Sequence, residues 1–283
     1  MGLERIDSQL LLLHALGRGQ SERAWLLAHA TDPAPQGTFK AFDVLALRRA
    51  AGEPLAYIVG RKEFYGLDLL VDARVLVPRP DTEVLVDWAL EIALAHQLPK
   101  PAPGEGAEPD NAPAPIPALS ILDLGTGNGA IALALRHALP QATVCAVDAS
   151  LDALALARAN AQRLGLEVQW LHGSWFDHVS GRYDLIVSNP PYVSEGDSHL
   201  EALSHEPWQA LVSGASGLEA IEQIVAFAPR HLHGGGWLLL EHGHDQAAAV
   251  RLEFHVRGFG QVQSRVDIAG IERCSCGQWP AAR

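Results

Sequence analysis

The sequence predicts an α/β protein in which a small helical region and a β-hairpin precede a sheet of mainly parallel strands. Three observations support this prediction. Leucines recur at helical spacing in the first 60 residues, and strand-like apolar runs alternate with helical patterns after residue 119. One of those runs ends abruptly in Asn189-Pro190-Pro191-Tyr192, as a buried strand would at the edge of a sheet.

The composition is that of an ordinary globular enzyme. The chain has 283 residues, which is long enough for two domains, and it is 48% hydrophobic and 19% charged. Its net charge of −12 argues against a protein whose main function is to bind nucleic-acid phosphates. Three cysteines without the spacing of a secreted scaffold indicate a reducing compartment. No signal peptide or membrane-length apolar run is evident, so we expect a cytoplasmic protein.

Residues 1–60 are predicted to form a helical domain. Apolar residues recur at three-to-four spacing around Leu10, Leu13 and Trp25, with Gly17-Arg18-Gly19 as a break, and Gly52-Glu53-Pro54 is expected to end the pattern. None of the residues is catalytic in type. Docking of a substrate or partner is therefore the functional interpretation, and a structural cap is the alternative.

Residues 61–98 are predicted to form a β-hairpin and a connecting helix. The hairpin is expected from alternating apolar residues at 63–71 and 75–77, and the helix from periodic apolar residues at 84–98. Asp81 or Thr82 could cap that helix. Residues 99–118 carry proline at nearly every other position, which predicts a flexible or extended surface insert.

A glycine-rich turn opens the predicted main domain, residues 119–283. A strand at 119–124 leads into Gly125-Thr126-Gly127-Asn128-Gly129, and a helix follows. Alternate glycines let the backbone turn sharply and a ligand approach it, and Asp148 ends the next strand, where a carboxylate can hold ribose hydroxyls. This is the cofactor loop of a Rossmann-like unit. The spacing departs from Gly-x-Gly-x-x-Gly, and Asp123 beside the loop favours the cationic S-adenosylmethionine over a dinucleotide.

Five further strands are predicted in the main domain, at 168–171, 183–187, 237–242, 260–266 and 272–278, with helices at 152–164, 220–228 and 247–257. Trp175 lies just past the first of these strands, where it could flank an adenine ring or simply pack in the core. His242 and His244 flank a strand end without further ligands at a recognisable spacing, so we predict no metal site.

The segment Asn189-Pro190-Pro191-Tyr192 indicates a site that can bind a planar NH2 group. Its prolines end the preceding strand and leave the carbonyls around Asn189 and Pro190 free at the sheet edge where α/β proteins bind ligands. An amide oxygen, a fixed carbonyl and an aromatic ring can accept two N–H bonds from a planar NH2 group and stack on its face. The alternative is a tight turn after a core strand.

With these elements placed, nearly the whole chain resembles the PrmC/HemK family, the protein-(glutamine-N5) methyltransferases of class I peptide-chain release factors. The segments that carry the resemblance are Gly52-Glu53-Pro54-Leu55-Ala56-Tyr57, Glu63-Phe64-Tyr65-Gly66, Pro78-Arg79-Pro80-Asp81-Thr82-Glu83, Asp123-Leu124-Gly125-Thr126-Gly127, Asn189-Pro190-Pro191-Tyr192 and Leu239-Leu240-Glu241-His242-Gly243. The chain departs from the family pattern at Asn128, where Thr is frequent, in its long proline-rich insert, and around residues 271–274.

The resemblance implies a seven-stranded class I S-adenosylmethionine-dependent methyltransferase domain, with S-adenosylhomocysteine as product. It implies that the cofactor contacts Gly125, Thr126, Gly127, Asn128, Gly129, Asp148, Trp175 and Asn189. It further implies that Asn189, Pro190, Pro191 and Tyr192 hold the glutamine of a Gly-Gly-Gln motif, with Asn189, Pro190 and Tyr192 as catalytic groups, and that residues 79–83 line the mouth of the site.

The implied partner is a class I release factor, and we expect a monomer that binds neither nucleic acid nor membrane directly. The main alternative is an adenine-N6 methyltransferase of DNA or RNA, which shares Asn-Pro-Pro-Tyr but would not be expected to carry residues 79–83 or the helical domain. A cofactor-binding module without catalysis is the second alternative.

Overall fold

The computed structural model describes residues 2–97 and 118–281. The predicted proline-rich insert lies almost entirely outside the described residues. Within them the chain forms a helical N-terminal domain, a two-stranded hairpin and a seven-stranded sheet covered by helices on both faces. The predicted fold class is therefore confirmed.

The N-terminal domain packs its helices around a small apolar core. Its buried residues include Leu11, Ala46 and Ile58. Gly52-Glu53-Pro54 follows the end of the third helix, as predicted, and a short fourth helix that was not predicted begins directly after Pro54, whose fixed φ suits the start of a helix. The helices are α1 (Arg5–Ala15), α2 (Arg23–Ala28), α3 (Thr38–Ala50) and α4 (Leu55–Val59).

The hairpin pairs β1 (Arg61–Phe64) with β2 (Leu67–Leu70) in antiparallel register. Its two-residue turn, Tyr65-Gly66, has φ values of 51° and 75°, the left-handed pair that matches the twist of the strands. The predicted continuation at residues 75–77 is not a strand. Val75 is buried instead, and its carbonyl accepts a hydrogen bond from the Tyr57 hydroxyl. This hydrogen bond attaches the segment to α4.

The connecting helix α5 (Glu83–Gln97) is preceded by a 3-10 turn at Pro80–Thr82. The N-cap residue of this turn is Arg79, which makes no side-chain cap hydrogen bond, so the helical segment begins before the predicted cap residues Asp81 and Thr82. Leu85 and Trp88 of α5 are fully buried in the same apolar cluster as the sheet. The helix is thus part of the core of the main domain.

The main sheet has the strand order β5-β4-β3-β6-β7-β9-β8. Neighbours among the first five strands of this order run parallel, whereas β9 runs antiparallel to both β7 and β8. The strands lie close to their predicted positions. They are β3 (Ser120–Leu124), β4 (Thr143–Asp148), β5 (Gln169–His172), β6 (Tyr183–Ser188), β7 (Leu232–Glu241), β8 (Gly260–Val266) and β9 (Glu272–Gln278).

Alternate side chains of each strand enter two core layers. Ile121 of β3 packs in the layer that contains α5 and α6, while Leu122 packs in the layer beneath α9 and α10. A 3-10 helix at Ser198–Leu203 and the short α8 were not predicted, because neither carries a sustained apolar period. The helices of the main domain are α6 (Ala130–Ala138), α7 (Leu151–Leu164), α8 (Trp208–Leu211), α9 (Glu219–Phe227) and α10 (Ala247–Val256).

The strand order reverses at β3, which pairs with β4 on one side and with β6 on the other. Open α/β sheets bind ligands at such a switch point, outside the carboxyl ends of the strands. The glycine-rich turn follows β3 and Asn189-Pro190-Pro191-Tyr192 follows β6, so the fold brings both predicted motifs to this edge. Among the described residues, no helix has the length and apolar character needed to cross a membrane.

Candidate active site

Two cavities open at the switch point and share a wall. The first has a volume of about 320 Å³ and the second about 410 Å³. Asn189 and Arg79 line both. The first is lined further by Gly125, Thr126, Gly127, Asn128, Asp148, Trp175 and Pro191, and the second by Arg49, Gly52, Pro54, Pro190, Tyr192 and Glu206.

Asp148, at the end of β4, holds the glycine-rich turn through hydrogen bonds. Its Oδ2 accepts a 2.8 Å hydrogen bond from the Gly127 main-chain N–H, and its Oδ1 accepts one of 2.8 Å from the Ser150 N–H. Burial raises the pKa of this carboxyl, and the two N–H donors oppose that shift. The backbone of Gly125 and Gly127 is left-handed, with φ values of 69° and 57°, which is why glycine is needed there.

Asp123 lies beneath the turn and stabilises it through hydrogen bonds. Its Oδ2 accepts hydrogen bonds from the Thr126 hydroxyl at 2.6 Å and from the Ala132 N–H at 3.2 Å. The carboxyl is fully buried, and burial raises its pKa to about 7. Within the described part of the chain its Oδ1 has no hydrogen-bond partner. This acid therefore supports the loop and keeps one acceptor free.

Asn128 ties the same turn to the hairpin. Its side-chain amide donates to the Leu70 carbonyl at 3.2 Å. The buried Asn160 of α7 donates to that carbonyl at 3.1 Å and accepts from the Leu70 N–H at 2.7 Å. The Thr126 and Asn128 side chains are thus used to hold the loop, which leaves its main chain to face the cavity.

Trp175 and Gly129 have different surroundings at the turn. Trp175 lines the first cavity, and a Cβ on Gly125 would lie 3.4 Å from its ring. Gly129 is outside the lining, and a Cβ there would lie 3.1 Å from both Leu133 and Trp170. Gly129 therefore allows α6 to pack closely, whereas the Trp175 ring is both part of the core and part of the cavity wall.

Asn189 presents an unused acceptor at the shared wall. Its side-chain NH2 donates to the Thr82 hydroxyl oxygen at 3.1 Å. Its Oδ1 is buried and has no hydrogen-bond partner among residues 2–97 and 118–281. Because a buried polar atom without a partner costs about 1–3 kcal/mol, such an atom commonly marks the place where a ligand brings the missing donor.

Tyr192 is held at both ends. Its hydroxyl donates to Glu241 Oε1 at 3.2 Å, and its carbonyl accepts from the Gln246 side chain at 3.0 Å. Burial and the Glu241 carboxyl both raise the pKa of Tyr192. Burial also raises the pKa of Glu241, to about 7. A Cβ on Gly217 would lie 2.4 Å from the Tyr192 carbonyl oxygen, so only glycine fits beside this turn.

Arg79 is paired with a buried carboxylate. Its guanidinium donates to Glu206 Oε1, while Glu206 Oε2 accepts the Val77 N–H at 3.0 Å. The segment at 79–83 is fixed further by Asp81, which lies 3.7 Å from Arg273. Within this segment Arg79 lines both cavities and Thr82 lines the first.

The structure brings most of the predicted site residues together. Asn189, Pro190, Pro191 and Tyr192 meet the glycine-rich turn, Asp148 and Trp175 around the two cavities. His242 is buried and hydrogen-bonded to Ser275 at 2.8 Å, as a core residue would be. Glu241 was given no predicted role, although it lies in the segment Leu239-Leu240-Glu241-His242-Gly243. Gln246, Glu206 and Gly217 were not predicted, because no local signal in the sequence marks them.

Solved structures share the fold of this chain. The chain superposes on a methyltransferase from Pyrococcus furiosus with a TM-score of 0.54 at 18% identity, covering 84% of this chain and 98% of that one. It also superposes on the 16S rRNA N2 G1207 methyltransferase RsmC of T. thermophilus, in complex with AdoMet and guanosine, with a TM-score of 0.51 at 19% identity, covering 77% of this chain and 49% of that one. The fold is that of an S-adenosylmethionine-dependent methyltransferase.

The sequence itself identifies the family. Residues 1–60 match the family model of the PrmC N-terminal domain, and residues 112–217 match that of the methyltransferase small domain. The release factor glutamine methyltransferase of Bordetella pertussis is 45% identical over 282 residues, covering 98% of this chain and 95% of the relative. The chain belongs to the release factor glutamine methyltransferase family, which confirms the predicted resemblance.

Proposed function

We propose that this protein transfers a methyl group from S-adenosylmethionine to the side-chain amide nitrogen of the glutamine in the Gly-Gly-Gln motif of class I release factors. The observation that carries the proposal is the Asn189 Oδ1 atom, a buried acceptor that no described residue satisfies, on the wall between two cavities. An acceptor in that position suits a substrate whose NH2 group enters the second cavity and accepts a methyl group from a cofactor bound in the first.

The residues around the first cavity fit the cofactor. The left-handed glycine backbone allows close approach, and Asp148 offers carboxylate oxygens for ribose hydroxyls. Asp123 supports the loop from beneath and is not among the residues that line this cavity. We assign Gly125, Thr126, Gly127, Asn128, Asp148, Trp175 and Asn189 to cofactor binding, and Gly129 to the packing of the loop. S-adenosylmethionine supplies a methyl group activated by its sulfonium.

The substrate amide would be held by Asn189 and its neighbours. The Asn189 Oδ1 and the Pro190 carbonyl accept its two N–H hydrogens, and the Tyr192 ring packs against its plane. An amide nitrogen is a poor nucleophile because its lone pair is delocalised into the carbonyl. Two fixed acceptors orient that nitrogen and stabilise the positive charge that grows on it, and good orientation alone can lower a barrier by about 7–11 kcal/mol.

The bond changes balance without a further reactant. A nitrogen–carbon bond forms as the sulfur–carbon bond breaks, and the extra proton on the methylated nitrogen then leaves to solvent or buffer. The methylated nitrogen is far more acidic than the starting amide, so no strong base is required. Asn189, Pro190 and Tyr192 therefore act by binding and orientation.

The second cavity supports a protein substrate. The N-terminal domain contributes Arg49, Gly52 and Pro54 to its rim, so a loop entering there would touch both domains. We propose that the helical domain docks the release factor while its glutamine reaches Asn189. We further propose that the protein acts as a monomer in the cytoplasm and does not bind nucleic acid directly.

The test is transfer of a radiolabelled methyl group from S-adenosylmethionine to a purified class I release factor. A matched factor whose Gly-Gly-Gln glutamine is changed to alanine serves as control, and adenine-containing DNA and RNA are assayed in parallel. We expect label on the unaltered factor alone. Label on a nucleic acid, or equal label on both forms of the factor, would refute the proposal.

A further inference from the structure

The end of β7 and the turn after it contact Tyr192 at two separate points. Glu241 Oε1 accepts the Tyr192 hydroxyl at 3.2 Å, and the Gln246 side chain donates to the Tyr192 carbonyl at 3.0 Å. Gln246 is itself fixed, because its Oε1 accepts the Gly243 N–H at 2.8 Å. Neither Glu241 nor Gln246 is among the described residues that line the two cavities, so both act on the site through the residues they contact, of which Tyr192 is common to both.

Glu241 is an unusual choice for a purely structural position. Its side chain is 2% exposed, and its Oε2 has no hydrogen-bond partner in the described ranges of the chain. A buried carboxyl costs more free energy than a buried amide of the same shape, so a role in packing alone would favour glutamine. A carboxylate is, however, the stronger acceptor for a phenol hydroxyl.

We infer that Glu241 is a positioning residue of the proposed methyl transfer: it fixes the Tyr192 ring against the substrate amide through the phenol hydroxyl, while Gln246 fixes the Tyr192 main chain. The inference rests on the proposed function for its link to glutamine. The contact between Glu241 and Tyr192 does not depend on which substrate is methylated.

The groups around Glu241 determine how it titrates. Tyr192, Asp81, Arg273 and Cys274 are the titratable or charged groups that face it, and Thr82 adds a hydroxyl that favours its charged form. Burial dominates and raises the pKa of Glu241 to about 7. The strength of its hydrogen bond to Tyr192 therefore changes across neutral pH.

The first experiment compares kcat and KM for Glu241→Ala, Glu241→Gln, Tyr192→Phe and the double variant Glu241→Ala/Tyr192→Phe. We expect Glu241→Ala to lower kcat at least about tenfold with KM within about threefold, and Glu241→Gln, which keeps an acceptor, to recover to within about threefold. In the Tyr192→Phe background, Glu241→Ala should cost less than about twofold, because the contact is already absent. His244→Ala, an exposed change in the same turn, is the matched control.

The inference is overturned if Glu241→Ala costs as much in the Tyr192→Phe background as in the wild-type background, or if Glu241→Gln is as impaired as Glu241→Ala. A second measurement needs no substrate. The chain has four tyrosines, so 13C-labelled tyrosine rings give few NMR signals, and Tyr192→Phe assigns one of them. That signal should shift with a midpoint near the Glu241 pKa of about 7 and lose the shift in Glu241→Gln.

A Tyr192 signal with the same chemical shift in the wild-type protein and in Glu241→Gln, at both pH 5.5 and about 8.5, would refute the contact even if the enzyme is active. If the wild-type protein fails to methylate any release factor, the proposed function fails, while the NMR titration still decides whether Glu241 holds Tyr192. The two outcomes are therefore distinguishable.

Discussion

The Asn189 side-chain NH2 donates to the Thr82 hydroxyl oxygen at 3.1 Å, across 107 residues of chain. This contact determines which end of the Asn189 amide faces the shared wall. With the NH2 group engaged by Thr82, the Oδ1 atom is the end that no described residue satisfies. In this arrangement the ligand meets an acceptor, and not a donor, at Asn189.

Thr82→Val should lower kcat about tenfold, because a methyl group of the same size cannot accept the Asn189 NH2 and the amide is free to turn. The dissociation constant for S-adenosylmethionine, measured by calorimetry, should change less than about threefold. Thr82→Ser keeps the hydroxyl and is the control. A Thr82→Val enzyme with a kcat near that of Thr82→Ser would contradict this account.

Gly217→Ala should damage the site through the backbone. Gly217 has a φ of 80°, and a Cβ there would lie 2.4 Å from the Tyr192 carbonyl oxygen and 2.9 Å from the Gln246 side chain. The turn that holds Tyr192 must therefore shift. We expect a fall in kcat of about tenfold or more, together with loss of thermal stability.

Gly258→Ala is the control that separates the effect of backbone strain from the effect of the clash with Tyr192. Gly258 has a similar φ of 86°, but a Cβ added there would have no described atom within 4 Å. It should lose about 1–2 kcal/mol of unfolding free energy from the left-handed backbone alone, with kcat unchanged. Equal effects of the two substitutions on kcat would show that the contact with Tyr192 is unimportant.

Glu241→Gln should change the pH dependence of stability. The pKa of Glu241 rises from 4.5 to about 7 on folding, so between these values the folded protein binds more protons than the unfolded chain. The wild-type protein therefore loses stability as pH rises through this window, and the loss is complete above it. The variant lacks this loss.

The unfolding free energy of Glu241→Gln minus that of the wild type should therefore increase by about 2–3 kcal/mol from pH 5 to pH 8. Urea unfolding at several pH values measures the difference. Glu222→Gln, on the exposed face of α9, should show a constant difference across the same range. A difference that does not depend on pH in Glu241→Gln would mean that the carboxyl does not titrate in this window.

Arg79→Met should destabilise the fold because, among the described residues, it leaves the buried Glu206 carboxylate with only the Val77 N–H as donor. The Glu206 side chain is 3% exposed and that of Arg79 is 38% exposed, so we expect a moderate cost of about 1–2 kcal/mol in unfolding free energy. Arg61→Met breaks an ion pair with Asp68 whose side chains are about half exposed. It should cost less than about 0.5 kcal/mol. Equal costs would mean that burial of Glu206 is unimportant.

The local sequence was sufficient to predict the strands, the glycine-rich turn and the Asn189 segment. Each depends on neighbouring residues, such as the apolar run before Ser188 or the glycines around Thr126, and these signals survive without tertiary contacts. The helix α4 was missed because five residues after a proline carry too little periodicity.

The partners of the site residues could not be predicted in the same way. Glu206 meets Arg79 across 127 residues of chain, and Gln246 meets Tyr192 across 54. Such pairs depend on how the helices after β6 and β7 fold back over the sheet edge. Thr82 was predicted as a helix cap or as part of the mouth of the site, because a threonine before an apolar run fits both, and its contact with Asn189 was not predicted.

The hydrogen bonds between Leu70 and the pair Asn128 and Asn160 bear on how the chain can be divided. A gene fragment that begins at residue 119 would encode every strand of the main sheet, yet both asparagines would lose their hairpin partners. The apolar surface now covered by α5 would also be open to water. Chimaeras that exchange the docking domain between relatives should therefore be joined before the hairpin, so that the hairpin and α5 stay with the sheet they complete.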